Sequence, residues 1–411
     1  MRMWAKILLG LSLGVVVGWI IGNQSYFATQ TTIRLLDQAG KAFINLLRMV
    51  VGLVVSSCLV VGVCHIGDLK KLGRVGARTV LFYTITTCVA ISFGLLLAFL
   101  IKPGRGLNLP LPPPTSSPPR PVGLLAFLFS IIPANPLRAL IEGNVLQVIF
   151  FSLFFAMAIT LSGDKGKAVL SFFEAIKEIM SSLTQFIMKL APYGIFALMT
   201  TAMSSFGSKV ILPLILVLLC NYAACVLQVL LVFCLALRYI TKLRISPFFK
   251  GMREAIVLAF ATSSSSATLP ISLKCIRTYL GISSDIADFV LSLGSTINMN
   301  GTAIGQVIFS LFIAQAYGIE MSCLKIVILS LVSFISAVGA AGIPGAGLLV
   351  LSIVLSTVGL PIEGIALIAG IDRLREMVST VVNILGDGVA AVLVAKKESH
   401  IDIQQYCSVT E

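Results

Sequence analysis

The sequence predicts an all-α polytopic membrane protein, on three observations. Of its 411 residues, 57% are hydrophobic and 11% charged, with a mean hydropathy of +1.02, whereas an ordinary soluble domain carries about 25% charged residues. Charge-free runs recur at 7–32, 49–67, 79–101, 144–163, 210–237, 289–319 and 326–362, each close to or beyond the roughly 20 residues that one helical crossing needs. Strand-like alternation is absent from these runs, which argues for helices rather than a closed barrel.

The first run follows Arg2 and Lys6, has no A-x-A-like cleavage site after it and leads directly into further spans, so it reads as a retained helix. A net charge of +13 would suggest nucleic-acid binding in a soluble chain, but here the basic residues gather in short loops. Lys70, Lys71, Arg74 and Arg78 follow the second run, and Arg238, Lys242, Arg244, Lys250 and Arg253 follow a later one. Such loops are cytoplasmic by the positive-inside rule. The expected setting is a plasma (bacterial inner) membrane with both termini cytoplasmic, the lipid bilayer as partner and no nucleic acid. The nine cysteines lie mostly in apolar runs and form no C-x-x-C, which predicts neither a disulfide nor a metal.

After the third run, the segment "KPGRGLNLPLPPPTSSPPRPVG" (102–123) is a proline-rich external loop. Pro133 and Pro136 then suit a broken approach to the next crossing. The C-terminal half differs in kind. Residues 255–273 are uncharged, yet their middle reads "ATSSSSATLP" (261–270), and the run 326–362 is too long for one crossing and centres on "AAGIPGAG" (340–347). Both read as helical hairpins that turn around within the membrane, where non-helical backbone survives only against protein or an aqueous cavity.

Each hairpin precedes a helix with polar groups in mid-span: "STINMNGTAIG" (295–305) after the first, and 371–396 after the second. Paired discontinuous segments of this kind point to a transporter's binding site. In the second helix Asp372, Glu376, Ser379, Thr380, Asn383 and Asp387 fall within an arc of roughly 100° when placed at about 100° per residue. Buried carboxylates require compensation. Glu376 is read as holding a cationic ligand group and Asp387 a cation, the alternative being ion pairs with Arg373, Arg375 or Lys396. Asn298, Asn300 and carbonyls freed around Gly301 are oxygen ligands suited to a hard cation, which with Asp387 gives a sodium site.

The run from Ser263 to Ser266 is not read as catalytic. The two histidines, His65 and His400, supply no base, G-x-S-x-G is missing, and no enzyme is expected. Hydroxyls and N–H groups at a half-helix tip suit a carboxylate instead, and "GIPGAG" offers a second tip. A passive channel would show rings of like charge or repeated carbonyl filters, and neither is evident.

"ATSSSSATLP", "NMNGTAIG", "AAGIPGAG" and "NILGDG" in this order and spacing, with "IPANPLRALIEGNVLQVIFF" and "APYGIFALM", resemble the dicarboxylate/amino acid:cation symporter family, the glutamate transporter homologues and their neutral amino acid relatives. The resemblance covers nearly the whole chain. It implies a glutamate-transporter-like fold of eight transmembrane helices and two re-entrant hairpins, assembled as a homotrimer. It also implies a division of the chain. Residues 1–78 carry scaffold helices one and two, 79–101 the third helix in the transport domain, 102–122 the proline-rich loop, and 123–205 scaffold helices four and five. The rest of the transport domain occupies 206–396, and 397–411 form a cytoplasmic tail.

The resemblance also implies roles. Ser264, Ser265 and Ser266 would take the substrate α-carboxylate, and Ala341, Gly342, Ile343 and Gly347 would close over it. Thr302 and Glu376 would contact the substrate, with Ser379, Thr380 and Asn383 beside them on the polar face. Gly294, Asn298, Asn383 and Asp387 match one sodium site, Thr296, Met299 and Ala337 lie where a second is built from backbone carbonyls, and Tyr83, Thr86 and Thr87 resemble the side chains of a third. Three departures qualify this. Asn300 stands where the third site usually has an aspartate, Glu376 replaces an aspartate, and Ser379 replaces the arginine that forks onto an acidic side chain. The expectation is a symporter driven by a sodium gradient, with no cofactor beyond the coupling ions. A small neutral amino acid is favoured, the alternative being a proton- or sodium-coupled carrier of glutamate, aspartate or a C4-dicarboxylate. Arg373 stays open as a relocated guanidinium.

Overall fold

The computed structural model describes residues 3–22, 27–67, 74–107, 109, 132–141, 145–206, 210–338, 340 and 345–408. Their regular structure is helical apart from one isolated antiparallel bridge between Ile282 and Ile401. Most of the expected proline-rich loop lies outside the described residues, as do Lys70, Lys71, Ala341, Gly342, Ile343 and Pro344.

The chain opens with α1 (Met3–Gly22) and α2 (Phe27–Gly67), and α3 follows (Arg74–Ile101). Arg74 and Arg78, expected in a loop, instead belong to the first turns of α3, and Arg78 pairs with Glu398 at the far end of the chain. Beyond a short helix at Pro136–Ile141, three longer helices occupy the segment expected to hold two: α4 (Val145–Leu161), α5 (Asp164–Met188) and α6 (Ala191–Phe206). α5 and α6 meet at a bend of 54°. Pro192 accounts for it, because its ring has no N–H and would clash with the carbonyl four residues back if α5 continued, yet it fits the first turn of a new helix. Gly10, Gly14 and Gly18 place the backbone of α1 against Pro192, Phe196 and Thr200 of α6, with no room for a side chain. Small residues at this spacing allow such contact between membrane helices. α2 packs along α4, α5 and α6.

α7 (Ile211–Leu227) runs on through wider π-helical turns, Gln228–Cys234 and Ala236–Ile240. The first expected hairpin is present as α8 (Arg253–Thr262) and α9 (Ser265–Lys274). α8 stops because Ser263 is left-handed, with φ of 52°, a conformation costly for a residue with a Cβ. Ser264 is extended and caps α9, its hydroxyl accepting from the Ala267 amide at 3.2 Å.

Next come α10 (Ser284–Ile297) and α11 (Asn300–Ala316), a single span interrupted at Asn298 and Met299. The second hairpin is α12 (Cys323–Val338) and α13 (Ala346–Val358), with Gly345 before α13 at φ of 86°. α14 (Ile365–Glu398) closes the membrane part. Its side chains are buried almost without interruption, and α3, α6, α7, α8, α10 and α11 pack around it.

Among the described residues, four spans are long and apolar enough to cross a bilayer: Arg74–Ile101, Ile211–Ile240, Ser284–Ala316 and Ile362–Glu398. α5 and α6 meet the same length and composition only as a bent pair, and shorter apolar helices accompany them. The chain is an integral membrane protein.

Candidate functional site in the centre of the helical bundle

Five charged side chains are buried among the described residues, and all belong to α14: Asp372, Arg373, Arg375, Glu376 and Asp387. Concentration on one helix follows from the 3.6-residue period, since residues three and four apart share a face. Asp387 lies at one end of this row and the two arginines at the other.

Asp387 has no basic partner among the described residues. Asn298, at the break between α10 and α11, donates its Nδ2 to Asp387 Oδ1 at 2.8 Å and to the Asn383 carbonyl at 3.3 Å. Asn383 in turn accepts from the Gly301 amide at 2.8 Å through its Oδ1, and its Nδ2 reaches Met299 Sδ at 3.2 Å. Asn383 of α14 thus binds backbone in the first turn of α11, while Asn298 and Met299 reach α14 through their side chains. Asn298 Oδ1 is buried and accepts nothing from the protein. A carboxylate beside an orphaned amide oxygen is the donor set a hard monovalent cation requires. Gly294 completes the wall: a side chain there would run into Asp387 and the Tyr83 hydroxyl.

Asn300 differs. Its Nδ2 donates to Thr86 Oγ1 at 3.2 Å and its Oδ1 accepts from Thr87 at 2.6 Å. Thr86 donates to the Tyr83 carbonyl, which also lies 2.8 Å from the Thr87 hydroxyl, whose one proton it shares with Asn300; Tyr83 donates to the Val290 carbonyl, and Gln228 donates to the Thr86 carbonyl. The residues expected at a third cation site are therefore together, but each end of the amide already has a protein partner. Thr296 turns its methyl group toward Gly62 of α2. Ala337 is buried, its carbonyl accepting from the Ala340 amide.

Around Glu376 the arrangement is denser. Its carboxylate accepts from the Gly345 amide at 3.0 Å and the Gly347 amide at 3.4 Å, at the start of α13. Two guanidiniums stand further off, Arg373 at 3.8 Å and Arg375 at 3.7 Å. Arg375 is held by Asp372 through an Nε bond of 2.7 Å and lies over the Phe309 ring at 5.4 Å. Gly305 and Gly347 leave it space, since a Cβ on either would strike the guanidinium. Arg375 Nη1 then reaches Ser379 Oγ at 3.4 Å.

A small neutral substrate was expected because Ser379 stands where a guanidinium is usual; Arg375, one turn earlier on the same helix, reaches the Ser379 hydroxyl. Arg373 is directed elsewhere, its Nη2 donating to the Thr262 carbonyl at 3.1 Å on the first hairpin. The signal for Arg375 was available in its spacing, four residues before Ser379 and so on the same face. Of the other expected substrate residues, Ser264, Ser265, Thr302, Gly347, Ser379 and Thr380 are buried in this region, whereas Ser266 is exposed.

The crossing of α11 over α14 is close enough to predict one variant. A Cβ on Gly301 would sit 2.8 Å from the Ser379 carbonyl carbon, with backbone on both sides and nothing flexible to yield. Gly301→Ala is expected to cost about 1–3 kcal/mol, read as a lowered Tm of the purified protein. An unchanged Tm would mean that the helices separate freely.

The sequence profile of the sodium:dicarboxylate symporter family matches residues 3–397. A proton/sodium-glutamate symport protein of Geobacillus stearothermophilus is 36% identical, over 96% of this chain and 94% of its own length. A proton/glutamate-aspartate symporter of Escherichia coli (strain K12) is 32% identical, over 97% and 93%. A C4-dicarboxylate transport protein of Anaeromyxobacter sp. (strain K) is 32% identical, over 98% and 92%.

Proposed function

The chain belongs to the sodium:dicarboxylate symporter family, and from that premise we propose that it carries glutamate or aspartate across the membrane together with sodium. One observation carries the choice of substrate: the buried Arg375 guanidinium beside Ser379 and Glu376. Asp372 takes its Nε, and the two terminal nitrogens that remain suit a side-chain carboxylate, whereas a neutral side chain would leave them with Ser379 and the more distant Glu376 only. Glu376 favours an amino acid over a C4-dicarboxylate, because an ammonium group gives it a counter-ion and a second carboxylate would only repel it.

Each residue has a task in this reading. Asp387, Asn298 Oδ1 and Asn383 receive the cation. Arg375 takes the distal carboxylate, Glu376 the ammonium, and the first hairpin tip at Ser264 and Ser265 the α-carboxylate. Cation and substrate are coupled through Asn383, which holds the Gly301 amide in the first turn of α11, next to the break that carries Asn298. Filling the cation site fixes that break, and the fixed break presents Thr302 and the α14 face to the substrate. A ligand shifts a conformational equilibrium only through such differential affinity. The moving body comprises α3 and α7 to α14, and the bundle of α1, α2 and α4 to α6 stays in place.

The experiment is uptake of labelled glutamate by proteoliposomes under an inward sodium gradient, competed by unlabelled compounds. Aspartate is expected to compete fully, succinate weakly, and alanine and serine not at all. Strong competition by alanine or serine would overturn the assignment of Arg375. Uptake that follows an imposed proton gradient and ignores sodium would overturn the choice of ion.

A further inference from the structure

Arg373 and Glu376, one turn apart on α14, touch different hairpins. Arg373 donates from Nη2 to the carbonyl of Thr262, the last residue of α8. A guanidinium there meets the negative end of a helix dipole. Glu376 accepts from the Gly345 and Gly347 amides where α13 begins, the positive end of the second hairpin's helix. The two side chains face each other at 3.8 Å, each 8% exposed. The tips of both hairpins are thus joined through one ion pair on a third helix.

The pair is not a fully satisfied structural bridge. Its separation exceeds hydrogen-bond length, and Arg373 Nε is buried without a partner. An unsatisfied buried donor is a cost that a different placement of the guanidinium could relieve. If α13 withdraws, Glu376 loses its amide donors and closes on Arg373, which draws the guanidinium away from Thr262. If α8 withdraws, Arg373 is released toward Glu376 and competes with the Gly345 and Gly347 amides.

We infer that Arg373 and Glu376 are positioning residues that couple the two hairpin tips, so that displacement of one tip is transmitted to the other. The inference rests on the transport reading above for the identity of the cleft, but its test needs neither substrate nor a gradient.

The full chain in detergent carries a reporter, Ser266→Cys, at the exposed part of the first tip, with the exposed Cys88, Cys323 and Cys407 replaced by alanine. The same protein without the reporter gives the blank, and the rate of maleimide labelling is measured. Glu376→Gln does not alter any contact of the first hairpin, yet by removing the charge that competes with the Thr262 carbonyl for Arg373 it is expected to lower the rate about fivefold, the scale of one hydrogen bond. Arg373→Met should instead raise it by as much, and Arg373→Lys, which keeps the charge, less. Should Glu376→Gln fail to give a monodisperse protein, Glu376→Asp takes its place with the opposite expectation, a raised rate, because it is too short to reach the amides and keeps the charge that draws on Arg373. A raised rate in Arg373→Met with an unchanged rate in the Glu376 variant would overturn the coupling and leave two separate anchors. No change in either would overturn both assignments. Failure of glutamate uptake in the unmodified protein would sink the proposed function instead and leave these rates readable.

Discussion

Arg375→Ala lowers kcat/KM for glutamate by 100-fold or more, because breaking a buried charge pair costs about 3–5 kcal/mol. The arginine that Asp372 holds at 2.7 Å and that reaches Ser379 is the one guanidinium free to fork onto a distal carboxylate, since Arg373 is directed at the first hairpin. Arg375→Lys keeps the charge and loses the fork, so an intermediate loss is expected. Truncation also leaves Asp372 without its close cation and Glu376 with Arg373 alone, so loss of activity alone would not isolate recognition. The double variant Arg375→Ser with Ser379→Arg separates the two, for it returns the guanidinium to the same face from one turn later. Recovery of at least a tenth of the uptake, as the order of magnitude that geometry on one helix face permits, supports a role in recognition. No recovery from a folded protein would assign Arg375 to structure.

Asp387→Asn has the second large effect, on the cation. A unit charge about 4 Å from a monovalent ion at an effective dielectric constant near 20 is worth ~4 kcal/mol. The half-saturating sodium concentration is therefore expected to rise by about 100-fold or more, with a smaller change in glutamate affinity at saturating sodium. The fold should survive, because Asn298 keeps an amide oxygen to donate to in place of the carboxylate at 2.8 Å. If sodium dependence is unaltered in a folded Asp387→Asn protein, the cation binds elsewhere.

The sequence made the polar row of α14 and both hairpins visible for physical reasons. Acidic and amide groups repeating at helical period in an uncharged helix cannot all face lipid, and serine- or glycine-rich centres cannot sustain a crossing. The partnership of Asn298 with Asp387 was likewise readable, as two polar groups that each needed compensation. What was hidden depended on where long side chains end and on exact backbone breaks. Arg375 stood among the candidate ion-pair partners, but its reach to Ser379 depends on Gly305 and Gly347 leaving space. The break before α11 falls at Asn298 and Met299, whereas Gly301 is small because the α14 backbone passes against it. Gln228, buried within an otherwise apolar run and bonded to the Thr86 carbonyl, carried no periodic signal. The bend between α5 and α6 followed from one proline whose effect on a boundary is local.

In the proposed function, substrate and cation are held by neighbouring residues of one helix joined through Asn383, so their affinities would depend on each other, and reciprocally. The most direct test is calorimetric titration of glutamate into the purified protein at a series of fixed sodium concentrations. The glutamate Kd is predicted to fall by about tenfold or more from sodium-free to saturating conditions, within the usual range of coupling energies, with Asp387→Asn flattening the dependence. A glutamate Kd that is the same at every sodium concentration would contradict the account.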